Sequence, residues 1–129
     1  MVGRFKFELV SPERVLLSED AEQVVVPGRD GDFGVLVGHA PVISTLRPGV
    51  IDITLPSGKR RVFVAGGFAE VDPARLTILA QRAIDVEAAG GDAIAGELTA
   101  AEADLAAAKD DESRMRAAEV VEQLRALQR

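Results

Sequence analysis

Apolar and polar positions alternate along the first two thirds of the chain. Phe5, Phe7 and Leu9 alternate with Lys6 and Glu8, the two-residue period of a strand with one buried face. Ser11-Pro12-Glu13 reads as a turn, and Val15 to Leu17 and Gln23 to Val26 are apolar or β-branched runs. Pro27-Gly28 opens a loop rich in glycine and charge. Beyond the Pro48-Gly49 turn, Ile51, Ile53 and Leu55 alternate with Asp52 and Thr54. Pro56-Ser57-Gly58 then turns the chain into Arg61 to Ala65, which predicts a hairpin. Gly66-Gly67 marks a bulge or a sharp bend. Asp72-Pro73 is a further turn, and Leu76, Ile78 and Ala80 begin the last alternating strand. Turns recurring roughly every 8–12 residues, with no helical period between them, predict an antiparallel sandwich or barrel.

The pattern changes after the last strand. Ile94, Leu98, Ala101, Leu105 and Ala108 are spaced alternately by four and three, which makes one helical seam. Thr99 and Glu102 form a capping-box pair, so a stable helix is expected to start there, because Gly90, Gly91 and Gly96 weaken anything earlier. Lys109 to Ser113 interrupts the seam, with a base closing one helix and acids opening the next. Ala118, Val121, Leu124 and Leu127 form a second stripe, with Val120 at its edge. Two short helices across a short loop predict an antiparallel hairpin. Helices this short are marginal alone in water, so the tail needs a surface to pack on.

Composition sharpens the boundary. Residues 1–82 carry ten acids and ten bases, whereas the remaining 47 carry eleven acids and five bases, so the net charge of −6 belongs to the tail. All five phenylalanines precede the break. An acidic chain without a basic stripe is not expected to bind nucleic acid. The chain has no cysteine, which removes disulfides, thiolate metal sites and thiol nucleophiles. No stretch approaches the length of a membrane helix, and the first ten residues have neither signal nor transit character.

Candidate chemistry is sparse. His39 is the single histidine and has no second ligand or nucleophile beside it in sequence. Ser44 and Ser57 lack a nucleophile-elbow context. Glycines 28, 31, 34 and 38 match no phosphate-binding spacing and read as a loop joining strands. Asp30 and Asp32 flank Gly31 and could pair for acid–base work, but acids on such a loop are ordinarily solvated. The residues point to a non-catalytic adaptor with no cofactor and no metal.

The same loop carries a resemblance. Asp30-Gly31-Asp32-Phe33-Gly34-Val35-Leu36-Val37-Gly38-His39-Ala40-Pro41, followed by Leu46-Arg47-Pro48-Gly49, resembles the signature of the epsilon subunit of bacterial F-type ATP synthases. Phe63 to Val71 and Leu76 to Ala80 continue the likeness in order along the whole chain. The resemblance implies an antiparallel β-sandwich of about ten strands over residues 1–83, then a two-helix hairpin over 84–129. It implies a non-catalytic rotor subunit binding the gamma subunit and the ring of c subunits. The hairpin would be free to reach beta or alpha. Membrane association would come only through the complex, peripherally on the cytoplasmic side of a bacterial inner membrane. The family's ring-contacting acid falls on Asp32 and its loop histidine on His39, within a contact loop that takes in Asp30 and Phe33. Val37 stands where the family usually has proline, leaving the loop less stiff.

The tail departs further. Some family members bind ATP through Ile/Leu-Asp-x-x-Arg-Ala. The matching run keeps Ile84 and Asp85 but places Ala88 at the arginine, followed by Ala89. Without that cation the charge-assisted contact to a phosphate is gone, so ATP binding is expected to be weak or absent. Inhibition of ATP hydrolysis by the tail is expected to be weak as well. Arg114, Arg116, Arg125 and Arg129 in the second helix could face acids of beta or gamma, but read more simply as a solvated basic side. Two other readings remain open at this level. A stand-alone nucleotide-sensing regulator is disfavoured by Ala88. A small hydrolase using Asp30 and Asp32 is disfavoured by the lack of an oriented base or nucleophile.

Overall fold

The computed structural model describes residues 3–128; Met1, Val2, Arg129 and the side chain of Ala89 lie outside the described residues. Eight strands precede two helices. The strands are β1 (Phe5–Val10), β2 (Val15–Ala21), β3 (Gln23–Gly28), β4 (Gly31–Val35), β5 (Val42–Leu46), β6 (Gly49–Leu55), β7 (Gly58–Asp72) and β8 (Arg75–Asp85). They are followed by α1 (Val86–Ala107) and α2 (Asp111–Leu127). The segment after Pro27-Gly28 is therefore a hairpin, with Gly28 opposite Gly31, and not only a loop. The glycines that hid β4 from a hydrophobic count let that hairpin turn tightly. A Cβ on Gly28 would sit 2.8 Å from the Gly31 carbonyl oxygen.

The strands run in the order β2-β1-β8-β7-β5-β3-β4, with β6 paired to both β3 and β7. Residues 58–64 of β7 pair with β6 and residues 67–71 with β5, so this long strand serves both layers. No bulge occurs at Gly66-Gly67, because the register with β8 continues from Val64 opposite Ala83 to Gly66 opposite Gln81. Both glycines have positive φ instead, and a Cβ on Gly67 would overlap the Leu79 carbonyl. In β8 the corresponding turn falls on Arg82, a non-glycine residue at φ 48°. Split at these turns, β7 and β8 give two strands each, which reconciles eight continuous strands with the expected ten. One expectation is corrected: the sandwich is not wholly antiparallel. β1 lies parallel to β8, Phe7 opposite Leu76, and antiparallel to β2. Such a pair joins chain segments far apart in sequence, and alternation within a strand carries no sign of direction.

Burial follows the alternation. Phe5, Phe7, Leu9, Ile51, Ile53, Leu55, Leu76 and Ile78 face one core together with Val24, Val26, Val62 and Val64. Phe63 points the other way and joins Ile84 in a second core, built with Ile94, Ala101, Val121 and Leu124 of the helices. The outward face of β7 is thus the surface the short helices need.

The tail corrects three expectations. α1 begins at Val86, thirteen residues before the capping-box threonine, with Asp85 as its cap. Thr99 lies inside the helix and donates to the Ala95 carbonyl 3.1 Å away. The early start survives three glycines because Gly90, at φ 76°, absorbs a kink between the first turn and the rest. Lys109 lies beyond the last turn of α1, whereas the acids Asp111 and Glu112 do open α2. Ala118 is exposed; the buried face of α2 is Val121 and Leu124, with Ala117, Val120 and Leu127 half-buried. A seam drawn by threes from Ala118 drifts off a face that Ala117 in fact continues.

Candidate functional site

Asp32 and Phe33 lie on β4, Asp30 at the turn before it, and His39 in the segment leading to β5. The structure brings all four to the rim of one cleft of about 410 Å³. The acids are exposed, and Phe33 and His39 are half-buried with ring centroids 6.4 Å apart. His39 Nδ1 lies 2.7 Å from the Ala40 carbonyl oxygen. A carbonyl only accepts, so Nδ1 carries the proton and Nε2 is an acceptor when the ring is neutral. One further bond and a glycine turn fix the segment before His39. Gly38 N–H donates to the Pro73 carbonyl at 2.8 Å, and Gly38 sits at φ 81°, where a side chain would be strained. Val37 is exposed beside it.

A residue that sequence reading missed organises the other wall. Arg47 Nη2 donates to Asp32 Oδ1 at 2.5 Å and Nη1 to the Gly28 carbonyl at 2.8 Å. The backbone N–H of Arg47 also donates to the Pro27 carbonyl, and that of Arg29 to the Thr45 carbonyl. In sequence Arg47 figures only inside the Leu46-Arg47-Pro48-Gly49 stretch of the resemblance, with no role of its own, and its partners lie 15 and 19 residues away.

A second surface lies on the outward face of the sheet. Val15 is opposite Val10, Val10 opposite Leu79, and Leu79 opposite Phe68. Thr45 is opposite Phe68, and Ile43, two residues away on the same face, is 75% exposed. Val15, Leu79 and Phe68 are each more than half exposed. One apolar row therefore crosses five adjacent strands and is left uncovered among the described residues. Scattered exposed apolar residues are ordinary, but a contiguous row is the mark of a partner surface.

At the foot of the hairpin stand the positions of the degraded ATP motif. Ile84 is buried in the second core. Asp85 is fully engaged: Oδ1 accepts from the Ala88 N–H at 2.9 Å, and Oδ2 from Arg60 at 2.5 Å. Partial burial pushes the Asp85 carboxyl up, but the Ala88 N–H and the Arg60 guanidinium outweigh it and leave its pKa below the usual carboxylate value. The Ala88 side chain points to solvent, and that of Ala89 is outside the described residues. Arg61 pairs with Glu87, and this partner raises its pKa further. Arg82 reaches Glu97 and, more loosely, Asp104 on α1. The arginines of α2 face acids of the same chain: Arg114 meets Asp111, Arg116 meets Glu112, and Arg125 meets Glu102 across the hairpin. Arg129 lies outside the described residues. Among the described residues, no three His, Asp or Glu side chains gather as a metal would require, and no helix is long and apolar enough to cross a membrane.

A β-sandwich with a helical hairpin docked on the outward face of β7 and β8, an exposed apolar row and a braced acidic loop define a protein-binding class of chain. Residues 4–86 match the family model of the ATP synthase delta/epsilon chain β-sandwich domain. The chain is 45% identical to an ATP synthase epsilon chain of Parvibaculum lavamentivorans, covering 98% of this chain and 97% of that one. It is 48% identical to that of Maricaulis maris, covering 99% and 96%. The fold matches a chain of the Euglena gracilis mitochondrial ATP synthase with a TM-score of 0.72 at 24% identity, covering 96% of this chain and 79% of that one. It also matches a chain of the Tetrahymena thermophila central stalk and c-ring, with a TM-score of 0.64 at 14% identity, covering 98% of each. The chain belongs to the epsilon-chain family of ATP synthases, a non-catalytic class of subunit.

Proposed function

We propose that this chain is a rotor subunit in the central stalk of a proton-translocating F-type ATP synthase, coupling rotation of the c ring to ATP synthesis on the beta subunits. The observation that carries the reading is the apolar row Val15–Val10–Leu79–Phe68–Ile43, which fits a chain held against the gamma subunit. The loop bearing Asp30, Asp32, Phe33 and His39 is assigned to polar contact with the c ring, since it presents charge on a braced support. Residues 1–83 act as the binding module and residues 84–129 as the tail. The hairpin is open to contact with alpha or beta, and the chain is peripheral to the cytoplasmic side of the bacterial inner membrane. A chain of the Tetrahymena central stalk and c-ring sharing this fold supports the placement.

The tail is assigned little nucleotide response. The Asp85 carboxylate already holds Arg60 and the Ala88 N–H, and Ala88 brings no cation for a phosphate. Calorimetry with ATP at micromolar concentration should give no saturable heat. Removing residues 88–129 should change ATP hydrolysis by the assembled enzyme less than about twofold; a strong rise would assign the tail an inhibitory role.

The test of the main reading is co-assembly. Phe68→Asp places a carboxylate in the middle of the apolar row while leaving the buried side of β7 untouched. It should weaken capture of purified gamma subunit about 100-fold, the scale of a central interface residue. Unchanged capture, with unchanged folding, removes the row from the interface.

A further inference from the structure

We propose that Arg47 is the positioning residue of the loop that carries Asp32: its guanidinium fixes where that carboxylate stands before any partner arrives. The inference rests on the reading of this loop as the ring contact. Arg47 follows β5, whereas Asp32 lies on β4, and β3 separates the two strands in the sheet. A single planar group spans that gap. Nη2 holds Asp32 Oδ1 at 2.5 Å, and Nη1 holds the Gly28 carbonyl at 2.8 Å, so the two ends of the β3–β4 turn are gripped by one fork. The geometry needs arginine, because a lysine ammonium on its flexible stem lacks the planar fork for two acceptors in fixed directions.

The grip is supported on both sides. The Arg47 N–H donates to Pro27 and the Arg29 N–H to Thr45, which ties the base of the turn to β5. Gly28 is packed so closely on Phe33 and Gly31 that no side chain fits there. Asp32 itself remains well exposed, with 60% of its side-chain surface open. One oxygen is therefore committed to Arg47 and the other is left for a partner. A carboxylate on an unbraced loop samples many directions, and a partner must bear the entropy of fixing it. Arg47 removes that cost in advance. Its effect on partner contact should pass through Asp32 rather than through stability, because an exposed ion pair contributes little to folding.

The test uses the full-length chain with R47Q, R47K, D32N and the double variant R47Q/D32N. In the free protein, amide hydrogen exchange over residues 29–34 should quicken roughly tenfold in R47Q and less in R47K, about one charge-assisted hydrogen bond's worth. The rest of the sandwich should stay protected. In the reassembled enzyme, protons pumped per ATP hydrolysed should fall in R47Q and in D32N. The double variant should be no worse than D32N alone. Exchange in R47Q equal to the parent overturns the positioning role, as does a double variant whose loss is the product of the single losses. Quickened exchange in R47Q with unchanged pumping in D32N instead overturns the ring contact on which the proposal is built.

Discussion

At the scale of single residues, the structure separates side chains that build from side chains that meet partners. Phe7 is fully buried at the centre of the sandwich core. Phe7→Ala should cost about 3–5 kcal/mol, read as a lowered denaturation midpoint, because a large cavity there has no neighbour free to collapse into it. Asp85 builds as well, although the family resemblance marks it for nucleotide. Its pKa lies below the ordinary carboxylate value, so the stability it lends is present at neutral pH and lost as pH falls below about 4. Asp85→Asn should therefore remove part of the acid sensitivity of hairpin docking, which a fluorescent label on α2 would report. An unaltered acid profile would assign the transition to other carboxylates. Asp32 was legible in the sequence only as a loop acid in a recognisable signature. Arg47 was not legible as its partner, because its role depends on the pairing of strands and not on any local spacing.

At the scale of elements, alternation revealed the strands whose two faces differ. β1, β6 and the start of β8 stand where the period placed them, with Phe5, Phe7, Leu9, Ile51, Ile53, Leu55, Leu76 and Ile78 inward. β4 and β5 were hidden for the opposite reason. β4 is glycine-rich, and most of β5 is exposed, so neither shows a buried stripe. The parallel pairing of β1 with β8 was also beyond reach, since direction is set by connections and not by pattern. In the tail, the seam of α1 was readable but its start was not. Asp85 caps the helix through its side chain, and Arg60 and Arg61 hold its first turn to β7, contacts that a capping-box search around Thr99 cannot see. Leu124 is the best-buried helical side chain among the described residues. Leu124→Ala should release the hairpin, quickening exchange over α1 and α2 while β1 and β6 stay protected. Equal loss of protection throughout would mean that hairpin and sandwich unfold as one unit.

At the scale of the whole molecule, the two cores share one wall, β7, whose Val62 and Val64 face the sandwich and whose Phe63 faces the helices. The hairpin thus covers one outward part of the sheet and leaves the Val15–Ile43 row bare. Ion pairs at Arg60, Arg61 and Arg82 hold the tail, and all are partly exposed, so salt should loosen it more than it loosens the sandwich. The division of labour follows: an apolar surface and a braced loop for partners, and a charged clasp for the tail. The most direct measurement is proton pumping per ATP hydrolysed by the enzyme reassembled in vesicles with the parent chain, with F68D and with no chain. The parent should restore tight coupling, and F68D should resemble the enzyme with no chain. Equal coupling in all three would contradict a rotor-coupling role for this protein.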